Sequence, residues 1–354
     1  MSRRSQFRIQ RDTSLSVSAN EIGVARRISI FVKKAPPKPT RVFDTYWRFA
    51  TERQRIFHAR AAGQKGPWTD DPVLIQHKFT NAYRASDRTS QYLIRNVIYA
   101  GPDDWESTLI RVLLFKIFNK AQTWELLETK LGNITAQTFS AARINDVLDE
   151  ASAHGQKIYS NAYIMPSGPA NIRESRKHRM HTALLESILR GPIGKNLTQS
   201  NSMERAFGVL RGIPGFGPFL AFQFLIDLNY TPFLNFSEMD FVVPGPGARD
   251  GIQKCFSNLG DYDETGTIAW VTDRQEQEFS DRDLNFQSLW GRRLQLIDCQ
   301  NLFCEVDKYA RVVHPDVLGL SGRTRIKQKF VPNMNRFAPW FPPKWNINEH
   351  IPML

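Results

Sequence analysis

From Phe43 onward, stretches in which apolar side chains recur every three or four residues alternate with short polar breaks. The run FDTYWRFATERQRIFHARAA puts Phe43, Trp47, Phe49 or Ala50, Ile56 and Phe57 at helical spacing, with charged residues between them, which predicts an amphipathic helix. PWTDDP then supplies a turn in which aspartates suit the cap and Pro72 suits the first helical position. The stretch from Asp71 to Tyr99 predicts two helices broken around residues 84–87. Further helices are predicted over 103–119, 121–131, 139–153, 178–190, 202–211, 217–228, 252–260 and 280–312, with loops over 155–180 and 230–251. Strand signals are few and short, so the expected fold is mainly α.

Composition adds a strong charge asymmetry. The chain has 354 residues and a formal charge of +12. Residues 1–41 carry ten Lys/Arg against two Asp/Glu, which places +8 of that charge in the leading segment. This segment, ending in KKAPPKPTR, reads as a basic arm and linker; residues 42–320 read as the helical region, and 321–354 as a basic, Pro/Trp-rich tail. The excess of cations suggests a polyanionic partner. No apolar run is long enough for a membrane span or a secretory signal, so a cytoplasmic location without membrane contact is expected. Cys255, Cys299 and Cys304 lack metal-site spacing and are read as buried thiols, with no metal expected.

The richest stretch is MERAFGVLRGIPGFGPFLAFQFLIDLNY, residues 203–230, in which one helix ends at Gly212, IPGFG turns, and Pro218 starts another. Gly215 and Gly217 allow backbone conformations closed to other residues and leave amides open to a phosphate, though a simple connection between helices would look the same. Asp240 follows in NFSEMDFVVPGPGARDG, either as a local cap or as a functional carboxylate.

This hairpin resembles that of the helix-hairpin-helix DNA glycosylase superfamily: Ile213-Pro214-Gly215-Phe216-Gly217 match the turn, Ala221 the small residue of the second helix, and Asp240 the later aspartate. The resemblance implies a helix-hairpin-helix glycosylase-like fold of two helical lobes flanking a cleft. It also implies base flipping, with Asp240 stabilising positive charge on the deoxyribose. Phe219 stands where bifunctional members carry a lysine nucleophile, which implies a monofunctional, water-using hydrolase, and the missing cysteine quartet implies the absence of the iron-sulfur cluster that some members carry. A second, longer resemblance covers FDTYWRFATERQRIFHAR, PWTDDPVLIQHKFTNAYRASDRTSQYLI, PGPGARDGI and NLFCEVDKYAR, which look like the α-glutamyl/putrescinyl-thymine pyrophosphorylase family and the hydroxymethyluracil-DNA-kinase helical domain. That family is associated with hypermodified pyrimidines in phage DNA.

Together these imply a DNA glycosylase that excises a 5-substituted, even glucosylated, hydroxymethyl-pyrimidine from phage DNA and leaves an abasic site, a role suited to anti-phage defence. The alternative is an amino-acid- or polyamine-DNA transferase acting on pyrophosphorylated hydroxymethyluracil. Candidate base-pocket residues are Tyr159, Asn161, Tyr163, Asn81 and Arg84, which combine stacking faces with amide or guanidinium donors. Candidate phosphate contacts are Gly215, Gly217, Arg173, Arg176, Lys177, Arg179 and Arg249, with a second basic run at Arg323, Arg325, Lys327 and Lys329. Modified phage DNA is the expected partner, no obligatory protein partner is inferred, and no cofactor is expected beyond a monovalent ion at the hairpin.

Overall fold

The computed structural model describes residues 34–161, 165, 174, 176–331 and 338–352. Fourteen α-helices are found among these: α1 (Arg41–Ala61), α2 (Pro72–Gln76), α3 (Arg88–Tyr92), α4 (Trp105–Phe118), α5 (Ala121–Leu131), α6 (Ala141–Ala153), α7 (Lys177–Arg190), α8 (Ile193–Thr198), α9 (Met203–Arg211), α10 (Pro218–Leu228), α11 (Pro246–Cys255), α12 (Glu264–Asp273), α13 (Gln275–Ser280) and α14 (Leu296–Val313). Their starts follow local chemistry: the side chains of Thr40, Asp71, Asp104, Ser140, Ser202 and Asp263 each accept a backbone N–H from the first turn of the helix they precede. One two-stranded antiparallel ribbon pairs β1 (Lys38–Pro39) with β2 (Phe256–Asn258).

α4 is apolar almost all round, and every residue in it except Glu106 is buried. A helix of this kind needs neighbours on all sides; α5, α7, α8 and α10 supply them. Its one guanidinium, on Arg111, donates from Nε and Nη2 to the carbonyls of Val97, Ile98 and Pro102, while its buried Nη1 finds no partner among the described residues. α1 packs on α11 and α14, and α11 lies closest of all on α14. There Gly251 is obligatory, since a Cβ would fall 2.0 Å from the carbonyl oxygen of Phe303. One continuous hydrophobic cluster runs through both groups of helices, and Phe341, near the C-terminus, is fully buried within it.

Several predicted elements are displaced. Residues 77–83, expected as helix, are not helical. Their backbone bonds are taken elsewhere: Lys78 N–H donates to Gln328, Phe330 N–H to Gln76, and Arg53 and Glu305 hold Thr80. α3 widens into a π-helical turn at Leu93–Ile98. The helix expected over 252–260 starts instead at Pro246, inside the predicted loop, and yields to β2 at Phe256, which pairs with β1. Residues 281–295 are not helical, and α12 and α13 precede them. No helix among the described residues is long and apolar enough to cross a membrane. Cys255 and Cys299 are buried and Cys304 is half-buried; burial pushes the Cys299 and Cys304 thiols up to about 12. No cluster of metal-ligating side chains occurs among the described residues.

Candidate nucleic-acid interface

The turn between α9 and α10 is anchored at Ile213 and Phe216, both buried, and leaves Pro214, Gly215, Gly217 and Pro218 exposed. Gly215 sits at φ +85°, a region that disfavours any side chain, whereas Gly217 has an ordinary φ of −66°. A Cβ at either glycine would meet nothing, so the backbone here is open to a ligand. Neither α10 nor α11 has a side-chain cap, and both have proline in the first turn. Phe219 lies across Gly245, where an added Cβ would be 2.5 Å from its ring, so the two uncapped starts are neighbours and leave amide N–H groups without an intrahelical partner.

Asp240 lies on an exposed turn, where its N–H meets the Ser237 carbonyl at 3.3 Å. Its carboxylate has no hydrogen bond or ion pair among the described residues, so it caps nothing. Its neighbour Phe241 packs against Phe207 of α9 and Phe222 of α10, which fixes the turn to the hairpin.

Asn81 and Arg84 hold the fold together. Arg53 donates to Asn81 Oδ1 at 2.7 Å, and Asn81 Nδ2 donates to the Ser86 carbonyl at 2.8 Å. The Arg84 guanidinium, almost wholly buried, pairs with Asp227 Oδ1 at 2.7 Å and donates to Gln223 and Tyr230; Lys116 meets the other oxygen of Asp227 at 2.7 Å. The Arg84 amide donates to Asp298 at 2.8 Å. Two cations around one carboxylate hold Asp227 below the ordinary carboxylate range against the opposing effect of burial. Burial pushes Asp298 up to about 7, with Glu238 adding repulsion, and burial pushes Asp87 up to about 7 as well. Gln223 and Asp227 are the two polar residues of the otherwise apolar α10, and that isolation is the signal that marks them; Asp298 stands among Gln295, Gln300 and Asn301, and nothing in its local sequence marks it.

The basic residues divide in two. Arg176, His178 and Arg179 all converge on Asp149, and Arg249 pairs with Glu264 at 3.1 Å. Lys177 instead stands 4.9 Å from the Tyr159 ring centroid. Tyr163 and Arg173 lie outside the described residues. Tyr159 and Asn161 line a groove of about 400 Å³ together with Lys78, Lys120, Lys157, Ser160, Gln328 and Lys329. The hydroxyl of Tyr159 is engaged with His181 Nδ1 at 2.8 Å, and its ring packs on Phe118. None of the four lysines has a carboxylate within ion-pair distance among the described residues. Burial holds the Lys78 ammonium below the usual lysine range and Arg88 adds to this, while Asp87 and Glu305 oppose it from beyond ion-pair distance. Lys329 reaches the groove because residues 328–330 lie against 76–78 as an extended strap. Lys78, Lys120 and Lys157 stand alone in the sequence and form no basic run.

The sequence pattern of the family described as "5-hmdU DNA kinase, helical domain" matches residues 40–319. The chain belongs to this family. Among its relatives is the 5-hmdU DNA kinase of Bacillus phage SP10, 25% identical over 301 residues that make up 79% of this chain and 47% of that protein. The chain therefore spans about half the length of this relative. No solved structure matches. Membership corrects the expected activity: the relative is named for phosphoryl transfer, so neither hydrolytic excision of a base nor transfer of an amino acid or polyamine describes the family. The two activities make different demands. Excision needs a carboxylate beside C1′, whereas a kinase needs an anion-binding environment for phosphate.

Proposed function

We propose that this chain engages DNA carrying 5-hydroxymethyl-pyrimidines and serves phosphorylation of the hydroxymethyl group. In that reaction the hydroxymethyl oxygen forms a bond to the terminal phosphorus of a nucleoside triphosphate, the bond to the diphosphate leaving group breaks, and the hydroxyl proton is released. The sequence has no G-x-x-x-x-G-K-S/T run, so the proposal concerns the nucleic-acid side of the reaction. The observation that carries it is the groove, where four lysines without carboxylate partners line one concave surface of a family member. Phosphate oxygens are the natural counter-charges for such a surface. The exposed Gly215 turn and the paired helix starts of α10 and α11 supply backbone N–H groups for strand contacts that read no sequence.

The test uses the full chain with two duplexes that differ only in 5-hydroxymethyl-deoxyuridine against thymidine, followed by fluorescence anisotropy. Radiolabelled γ-phosphate transfer is measured in parallel, with and without an added nucleoside-triphosphate-binding kinase partner. The reading expects tighter binding of the hydroxymethylated duplex, and label on that duplex alone. Equal affinity together with no label under either condition would overturn it.

A further inference from the structure

We propose that the groove formed by Lys78, Lys120, Lys157 and Lys329 is a site for a compact oligophosphate, several phosphate charges gathered on one small ligand, in preference to the evenly spaced charges of a plain strand. The proposal rests on the preceding reading of the groove as an anion site and narrows its ligand.

The argument is one of charge density. Four lysines line about 400 Å³, a space roughly 7 Å on a side as the cube root of that volume. A single strand advances about 3.4 Å per phosphate, so a segment crossing that length brings roughly two negative charges. Four lysines exceed this about twofold. A phosphomonoester alone carries about −1.5 to −2, and a chain of linked phosphates carries more in the same space. Like charges gathered in a confined groove repel one another, and none of the four lysines has a carboxylate at ion-pair distance among the described residues, although Asp87 and Glu305 act on Lys78 from farther away. Among the described residues, Lys120 Nζ donates to the carbonyl of Lys157, which supplies no countercharge.

Neutral partners are present too. Asn161 and Gln328 line the groove and offer amide N–H groups, which can complete a phosphate's hydrogen bonds without adding charge. The ligand class is therefore a nucleoside triphosphate, or a strand nucleotide bearing a phosphomonoester beside its backbone phosphates. The two share the same chemistry.

Isothermal titration at fixed ionic strength tests this, with tripolyphosphate, orthophosphate and an unphosphorylated thymidine oligonucleotide as probes. The native protein is compared with Lys120→Ala/Lys157→Ala, with the charge-removing but more conservative Lys120→Gln/Lys157→Gln, and with a control, Lys130→Ala/Arg190→Ala, that removes two exposed cations elsewhere. Tripolyphosphate is expected to bind about tenfold or more tighter than orthophosphate, and both groove variants to lose about tenfold while the control loses less than about twofold. Competition then distinguishes the sources: displacement by a free nucleoside triphosphate assigns that ligand, and displacement by a 5′-phosphorylated oligonucleotide but not its unphosphorylated form assigns the strand. Equal binding of tripolyphosphate and orthophosphate, or an equal loss in the control, overturns the proposal. If the unphosphorylated oligonucleotide competes as well as tripolyphosphate, the preference for a compact ligand falls while DNA binding by the groove stands. If neither probe responds to the groove variants, both readings of the groove fall.

Discussion

Two cationic regions of this protein look alike in the sequence and are opposite in the structure. Around Asp227, Arg84 and Lys116 are almost wholly buried and share one carboxylate, with Gln223 and Tyr230 completing the Arg84 hydrogen bonds. In the groove, Lys78, Lys120, Lys157 and Lys329 face an open volume and have no carboxylate partner among the described residues. The first region neutralises its charge inside the protein, joining the 84–86 turn to α4 and α10; the second keeps its charge at an open surface, the basis of the ligand proposed for it. The lesson is that positive charge becomes a binding property only where the fold withholds the counter-charge. Arg176 and Arg249, exposed, and Arg179, half-buried, are paired with Asp149 and Glu264 and lie between the two.

The contrast is most severely tested by Asp227→Asn, which leaves two buried cations facing a neutral amide. A loss of about 3–5 kcal/mol in unfolding free energy is expected, the range for breaking a buried ion pair from one side. Denaturant titration measures it, and a loss below about 1 kcal/mol would show that the triad contributes little to holding the fold.

The groove should behave in reverse. Lys120→Ala/Lys157→Ala is expected to leave the unfolding midpoint unchanged or raised, because like-charge repulsion is relieved. The slope of log affinity for DNA against log salt is expected to fall by about 0.7–0.9 per lost contact. The same measurement on Arg176→Ala is expected to give a smaller change, since that cation is already neutralised by Asp149. Equal slopes would erase the distinction between the two surfaces.

Acidity sharpens the buried side. Asp298 has its folded-state pKa raised to about 7, with burial as the largest cause, whereas an unfolded aspartate titrates near 3.8. Between those values the folded state holds the proton more tightly, so stability is greatest below about 4, declines as pH rises towards 7, and levels off above it. Asp298→Asn removes this titration, and its unfolding midpoint is expected to vary less between pH 5 and 7.5 than that of the native protein. Parallel profiles would show that Asp298 ionises normally.

The smallest effect is expected at Asp240→Asn, where an exposed carboxylate without a partner is changed. Stability should stay within about 0.5 kcal/mol, as for ordinary surface positions. A larger loss would reveal a contact of Asp240 with the remainder of the chain.

Much of the architecture is legible in the sequence, because it depends on nearest neighbours along the chain. The three-to-four spacing of apolar residues locates α1, α4, α5, α6, α7, α9 and α10, and Ser202, Asp104 and Asp71 cap as their side-chain chemistry dictates. The Gly215 turn is equally plain, since only glycine is at ease at its φ of +85°. Residues 77–83 read wrongly as helix because their bonding partners, Glu305 and the strap at 328–330, lie more than 200 residues away. The activity reads wrongly as excision because the hairpin and a downstream acid are a local pattern that the wider family match outweighs.

By itself, then, the sequence determined which segments coil, where they cap, and that the chain carries an excess of positive charge, all properties set by local sterics and composition. Only the tertiary structure decided which of those charges are cancelled. Lys78, Lys120, Lys157 and Lys329 are brought to one groove by four separate segments, and Arg84 is enclosed with Asp227 by a helix more than 130 residues away. The electrostatic interaction that decides a charged side chain's role acts through space over a few ångströms, and distance along the chain carries no record of it.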